Sequence, residues 1–336
     1  MMEIALLLLG GLVLLVLGGE FFVRGAVQIA ERFGLSPLLI GLTLVGFGTS
    51  TPELVTSVQA SLAGSPGIAV GNIVGSNIAN TLLILGVAAL IVPVAVGRGA
   101  LYRDGVVGLV AALALAAVGV FGMLDRAVGS LFLLGLVAYI AYAWRQERRV
   151  GPDHTAAYVK AQAFEEAHAN GVQGAGATGL GRSLAFAIGG LALVVLGGSF
   201  FVRGAVALAE ALAVPETVIG LTIVAVGTSL PELVTSVIAA LRRHADVALG
   251  NVLGSNIYNV LGIGGATALL APTAVPAEIV AYDMWIMVGV SALVIVLGRS
   301  SWRIGRREGL VLVGLYVAYV WSILPMTIGN TNAPTL

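Results

Sequence analysis

The chain has no cysteine, only three histidines and few charged side chains. Without cysteine there is no disulfide, no thiolate-held metal and no cluster. His154, His168 and His244 all fall in polar loop stretches, where they read as solvated side chains, so no apolar run carries a histidine-rich centre. Nor does any such run offer a nucleophile beside a base, which argues against an intramembrane hydrolase and for a protein that is not an enzyme. Charged residues make up 10% of the 336-residue chain, where a soluble domain carries about 25%. With 58% hydrophobic residues and a mean hydropathy of +1.02, that shortfall places the chain in lipid. No basic stretch with interleaved aromatics is present, so nucleic acid is not an expected partner.

What the chain has in excess is glycine, with 46 residues, about 14% against an ordinary level of roughly 7%. Glycine at this level suits close helix packing and broken helices in a membrane. Apolar runs fall near 2–22, 36–62, 67–94, 104–122, 127–144, 183–202, 215–241, 246–271, 279–298 and 309–328. A helix needs about 20 residues to span the hydrocarbon, so each run suffices or nearly so. A closed β-barrel would instead show alternating segments of roughly 10 residues. The opening stretch MMEIALLLLGGLVLLVLGG has Glu3 where a secretory leader has positive charge, and its end recurs mid-chain. LGGEFFVRGA at 17–26 returns as LGGSFFVRGA at 196–205. The stretch therefore reads as a first transmembrane helix.

That recurrence belongs to a longer one. Residues 41–58, GLTLVGFGTSTPELVTSV, and 220–237, GLTIVAVGTSLPELVTSV, agree at fourteen of eighteen positions. The same 179-residue offset (232 − 53) runs without a gap from residue 17 to residue 80. It aligns GNIVGSNIAN at 71–80 with GNVLGSNIYN at 250–259. The expected organisation is an all-α membrane protein of ten transmembrane helices: a first five-helix repeat over 1–144, a cytoplasmic loop over 145–182, and a second five-helix repeat over 183–336. Five spans per copy is an odd number, which inserts the second copy upside down. Charge agrees. With the N-terminus outside, 15 of the 17 basic residues fall in inside loops, Arg24, Arg32 and Lys160 among them. Only Arg126 and Arg203 stay outside, and the C-terminus is then outside too. Within 145–182, HTAAYVKAQAFEEAHA has the composition of a short helix.

Each copy holds one glutamate at membrane depth, Glu53 and Glu232. A carboxylate there costs about 2.5–3.5 kcal/mol on the lenient insertion scale, so a matched pair calls for a function. On a helix, Thr49, Ser50, Thr56 and Ser57 share a face with Glu53. Pro52 removes an N–H and clashes with the carbonyl of Gly48, which predicts a helix break; Pro231 and Gly227 repeat the arrangement. Hydroxyls, freed carbonyls and a carboxylate are the oxygen donors that hard cations take. The following run adds Asn72, Ser76 and Asn80 at four-residue spacing with Asn77 beside them, matched by Asn251, Ser255, Asn259 and Asn256. A polar stripe on so apolar a helix faces protein or water; ligation and interhelical hydrogen bonding both fit the four asparagines at 72, 77, 251 and 256. Glycines at 71, 75, 250 and 254 suit tight packing there. Two carboxylates brought together repel, and a divalent ion between them offsets both charges. Monovalent ions or protons competing for that place give a physical basis for exchange.

GTSxPEL in both halves, each followed by GNxxGSNxxN, resembles the α-repeats of the cation/calcium exchanger superfamily, in its Na⁺/Ca²⁺ exchanger branch with prokaryotic members. The resemblance covers all ten runs. It implies a ten-helix, alternating-access antiporter exchanging Ca²⁺ for Na⁺, with Glu53 and Glu232 as central ligands. Thr49, Ser50, Ser76 and Asn80 join from the first repeat, and Thr228, Ser229, Ser255 and Asn259 from the second, with backbone carbonyls near Gly46 and Ala225. Some potassium-dependent relatives carry aspartate where this chain has Asn259, so potassium co-transport is not expected. The motif also sets Na⁺ ahead of H⁺ as the counter-ion. A Ca²⁺/H⁺ antiporter on the same scaffold and a passive cation channel are the other readings, and midplane acids in an inverted repeat favour a carrier over a channel. Ca²⁺, Na⁺ and the lipid bilayer of the cell membrane are the expected partners of a monomer with no resident cofactor. Glu20, whose repeat equivalent is Ser199, and Asp283, flanked by Tyr282 and Trp285 in the manner of an aromatic belt, read as structural.

Overall fold

The computed structural model describes residues 1–33, 48–147, 158–160, 180–241 and 245–328. Helix α1 runs Met2–Arg32, α2 Thr51–Leu62, α3 Pro66–Ile91, α4 Leu101–Val120 and α5 Arg126–Glu147. Then follow α6 at Leu180–Leu212, α7 at Glu216–Thr228, α8 at Leu230–Leu241, α9 over 245–270, α10 at Ile279–Ser301 and α11 at Arg306–Ile328. Among the described residues, seven helices are long and apolar enough to cross a membrane, or eight if α7 and α8, bent by 47° at their junction, form one span. The bounds keep the sequence offset, since α2 and α8 differ by 179 residues at both ends. α3 and α9 each pass through a π-helical stretch, Asn80–Ile84 and Tyr258–Gly264. Such wide turns re-aim side chains and gather at functional sites.

Two expectations are corrected. α1 and α6 outrun their apolar cores of 2–22 and 183–202, because hydropathy marks the greasy length while a helix continues until something breaks it. α6 stops at Leu212, just before Ala213 takes a positive φ of 52° and Pro215 follows. Arg24 therefore lies on α1 rather than in a loop, paired with Glu20 one turn earlier.

α1 and α6 pack against each other antiparallel through glycines. A Cβ on Gly11 would lie 2.6 Å from the Phe201 nitrogen, one on Gly18 2.7 Å from that of Val194, and one on Gly25 2.3 Å from that of Ala187. As one helix ascends, its partner descends. Lipid supplies no hydrophobic drive between helices, so backbones this close gain their association from van der Waals contact. Short strands tie the halves crosswise: β1 (Val94–Ala95) pairs with β4 (Arg303–Ile304), and β2 (Met123–Leu124) with β3 (Thr273–Ala274). Of those seven, α3 has 83% of its apolar window buried, against 28–39% for the other six. Its asparagine and serine stripe therefore faces protein.

Candidate cation site

Both glutamates stand at the start of a helix that follows a break. Ser50 (φ −92°, ψ 14°) precedes α2 and Ser229 (φ −85°, ψ 8°) precedes α8, both in the sparsely populated bridge region of backbone space. Pro52 and Pro231 sit second in the new helices, where a missing N–H costs nothing. The break expected from the prolines is thus two residues upstream of each. Glu53 and Glu232 are 2% and 3% exposed.

The two breaks hold each other. Ser50 Oγ donates to Glu232 Oε1 at 3.3 Å, and Ser229 Oγ donates to Glu53 Oε1 at 3.1 Å. Each repeat's serine thus serves the other repeat's carboxylate. Behind them, Asn72 Nδ2 donates to the Glu53 carbonyl at 3.1 Å and to Ser57 Oγ at 2.9 Å. Asn251 does the same for the Glu232 carbonyl at 3.3 Å and Ser236 Oγ at 2.9 Å. Asn72 Oδ1 also accepts from Thr228 Oγ1 at 3.0 Å and from Ser76 Oγ at 3.4 Å. These asparagines are spent on positioning. The Ala225 carbonyl accepts from Ser76 Oγ at 3.5 Å and from Thr228 Oγ1 at 3.4 Å.

One turn along, Asn80 Nδ2 donates to Asn256 Oδ1 at 3.1 Å, and Asn256 Nδ2 donates to Thr81 Oγ1 at 2.9 Å. Asn77 turns back onto the Ile73 carbonyl at 2.7 Å, which is structural. Among the described residues, several buried atoms have no hydrogen-bond partner: Oε2 of Glu53, Oε2 of Glu232, Oδ1 of Asn80, and both amide atoms of Asn259. Buried polar atoms are normally paired, so orphaned oxygens beside two carboxylates are the donor set a hard cation fits. Thr49 is half-buried and lines an apolar cavity of about 430 Å³ with Pro52, Pro231, Thr235 and Glu20. Gly46 lies outside the described residues.

Lys160, counted above among the inside-loop basic residues, is not exposed to solvent. It is fully buried, with Nζ 3.3 Å from Glu232 Oε1, 3.3 Å from Ser50 Oγ and 2.5 Å from Ser255 Oγ. Asp283 also departs from expectation. It is 4% exposed and accepts from Tyr319 at 2.8 Å, while its repeat equivalent Asp104 accepts from Tyr139 at 3.1 Å. These are matched clasps inside the bundle, not interfacial residues.

The family described as sodium/calcium exchanger protein matches this chain twice, over residues 3–145 and 182–324. The chain belongs to the sodium/calcium exchanger family. The two matched stretches fall on either side of the segment that carries Lys160. Among relatives of this family, the sodium/calcium exchanger MaX1 of Methanosarcina acetivorans is 37% identical over 342 residues, covering 94% of this chain and 97% of that protein. The putative antiporter CaxA of Alkalimonas amylolytica is 35% identical, covering 96% and 99%. Among solved structures, the sodium-calcium exchanger NCX_Mj soaked with 2.5 mM Na⁺ and 1 mM Sr²⁺ aligns at a TM-score of 0.61 and 33% identity, over 95% of this chain and 97% of that one. An exchanger of this family is a multi-pass membrane protein, in keeping with the long apolar helices.

Proposed function

We propose that this chain is a secondary antiporter that exchanges Ca²⁺ for Na⁺ by alternating access at one midplane site. The observation that carries the proposal is the reciprocal arrangement of Glu53 and Glu232, each on a broken helix and each hydrogen-bonded by the other repeat's serine. Two carboxylates with free oxygens match a divalent cation in charge, and two monovalent ions match the same pair. Glu53, Glu232, Ser50, Ser229, Thr49, Thr228, Ser76, Ser255, Asn80 and Asn259 are the proposed ligands, with the Ala225 carbonyl and that of Gly46. A hydroxyl that donates its proton to a carboxylate keeps lone pairs for a cation, so Ser50 and Ser229 can do both. Asn72 and Asn251 hold the glutamates in place.

The proposed frame has ten spans in two inverted five-helix repeats, 1–144 and 183–336, joined by a cytoplasmic segment over 145–182. Both termini lie outside the cell membrane, and the chain works as a monomer. The antiparallel packing of α1 on α6 and the crosswise strand pairs support the inversion. Relatives named as sodium/calcium exchangers support Na⁺ as the counter-ion.

Ion flux in proteoliposomes tests this. Ca²⁺ uptake driven by an outward Na⁺ gradient, and accelerated by Ca²⁺ preloaded on the far side, is the expected result. Uptake driven by a proton gradient and indifferent to Na⁺ would replace the counter-ion. Uptake without counterflow would replace the carrier with a channel.

A further inference from the structure

Lys160 is the only lysine in the chain, the other 16 of its 17 basic residues being arginine. It belongs to the segment between the two family-matched halves, yet it is fully buried against three candidate cation ligands. Its three N–H donors meet three acceptors: Ser50 Oγ of the first repeat, and Glu232 Oε1 and Ser255 Oγ of the second. An ammonium is a compact point charge with three rotatable donors, whereas a planar guanidinium would not fit a cage built for an ion. The same three oxygens are proposed ligands of the transported cation.

The residues before it are docked as well. Val159 packs on Ala239 of α8 and over Gly250 of α9, where a Cβ would lie 2.3 Å from Val159 Cγ1. Gly250 is thus a seat for Val159 and not only a helix-packing residue. Tyr158 packs in an apolar cluster with Tyr258 of α9 and with Tyr139 and Trp144 of α5. The Lys160 ammonium meets α9 at Ser255, a little over one turn on from the Gly250 seat of Val159. Val159 therefore sits between α8 and α9, and Lys160 next to it reaches the Glu232 carboxylate.

We infer that Tyr158–Val159–Lys160 is an intramolecular plug, with the Lys160 ammonium standing in for a transported cation and competing with it for Glu232, Ser50 and Ser255. A single ammonium offsets one of the two carboxylates, so a divalent ion that engages both must first expel it. The plug sets the apparent affinity of the carrier from the face that bears this segment. Apparent affinity falls in proportion to the fraction of molecules free to bind, so a docked population of about nine-tenths weakens it about tenfold.

The inference rests on the proposed cation site, and the test separates the two. Equilibrium ⁴⁵Ca²⁺ binding, with Na⁺ as competitor, is measured on the purified full chain and on Lys160→Gln. The plug predicts about tenfold tighter binding by Lys160→Gln, with a maximal exchange rate no lower than that of the unaltered protein. Equal affinities for both proteins overturn the plug and leave the exchanger standing. Absence of Ca²⁺ binding from both overturns the site itself, and loss of exchange in Lys160→Gln makes the lysine part of the machinery rather than its competitor. Because the chain has no cysteine, Val159→Cys with Ala239→Cys supplies the only thiols. A short cleavable crosslinker joining them should abolish flux, and cleavage should restore it. Full-rate flux in the crosslinked protein, or failure of the pair to crosslink, overturns the docked plug.

Discussion

Ser229 Oγ lies 3.1 Å from Glu53 Oε1, although the two residues come from opposite halves of the chain. Its mirror, Ser50 to Glu232 at 3.3 Å, makes the two helix breaks a single unit. Neither carboxylate is placed by its own repeat alone. Hydrogen bonds to charged groups contribute about 1.5–3 kcal/mol each, so Ser229→Ala should weaken Ca²⁺ half-saturation by roughly tenfold or more. The same loss leaves the buried Glu53 carboxylate short of a donor, so the unfolding midpoint of the detergent-solubilised protein should fall as well. Unchanged half-saturation would detach Ser229 from the site.

Asn72 and Asn77 look alike in sequence and differ in space. Asn72 ties the Glu53 carbonyl to Ser57 and accepts from Thr228 and Ser76, whereas Asn77, among the described residues, bonds its own helix. Asn72→Ala leaves several buried partners unmet at about 1–3 kcal/mol apiece, so it should lower both stability and exchange. Asn77→Ala should cost about 1 kcal/mol and leave exchange near normal. Parallel thermal unfolding and flux assays on the two variants check the contrast.

Gly18 and Gly10 provide another contrast on one helix. A Cβ at Gly18 meets backbone atoms of α6 at 2.7–2.9 Å, while one at Gly10 meets nothing within 4 Å. Gly18→Ala should destabilise the protein by about 1–3 kcal/mol through overpacking. Gly10→Ala should be neutral or stabilise by about 0.5–1 kcal/mol, since glycine inside a helix costs that much relative to alanine. Unfolding midpoints of the two purified variants decide it. Equal midpoints would mean that α1 and α6 do not meet through Gly18.

Much of the site was legible because the chain states it twice. Glu53 with Glu232, Pro52 with Pro231, and Ser76 with Ser255 are picked out by repetition, and elementary chemistry turns them into oxygen donors beside a helix break. Lys160 was not legible. It has no repeat partner, sits in an alanine-rich stretch without apolar periodicity, and looks like any solvated loop charge until its burial is seen. Asp283 was misread because tyrosine and tryptophan beside an acid suggest a membrane interface. The correcting signal was present, since Asp104 stands 179 residues earlier, but the gap-free alignment ends at residue 80. The split of the four asparagines into positioning and structural roles depends on side-chain direction, which spacing leaves open.

The Asp283–Tyr319 clasp gives a prediction away from the ions. Tyr319→Phe removes the donor at 2.8 Å and leaves a buried carboxyl group short of a partner. Stability should fall by about 1–3 kcal/mol with Ca²⁺ half-saturation unchanged. Thermal unfolding beside flux kinetics tests this, and a large change in half-saturation would link the clasp to ion binding.

The central claim is that Glu53 and Glu232 jointly hold the exchanged cation. Equilibrium ⁴⁵Ca²⁺ binding to the purified protein, titrated with Na⁺, addresses it without assuming a transport cycle. Saturable Ca²⁺ binding that Na⁺ displaces competitively is predicted, falling by more than about a hundredfold in affinity in both Glu53→Gln and Glu232→Gln, because each loses a charged ligand worth several kcal/mol in a buried site. Either variant binding Ca²⁺ as tightly as the unaltered protein would contradict it.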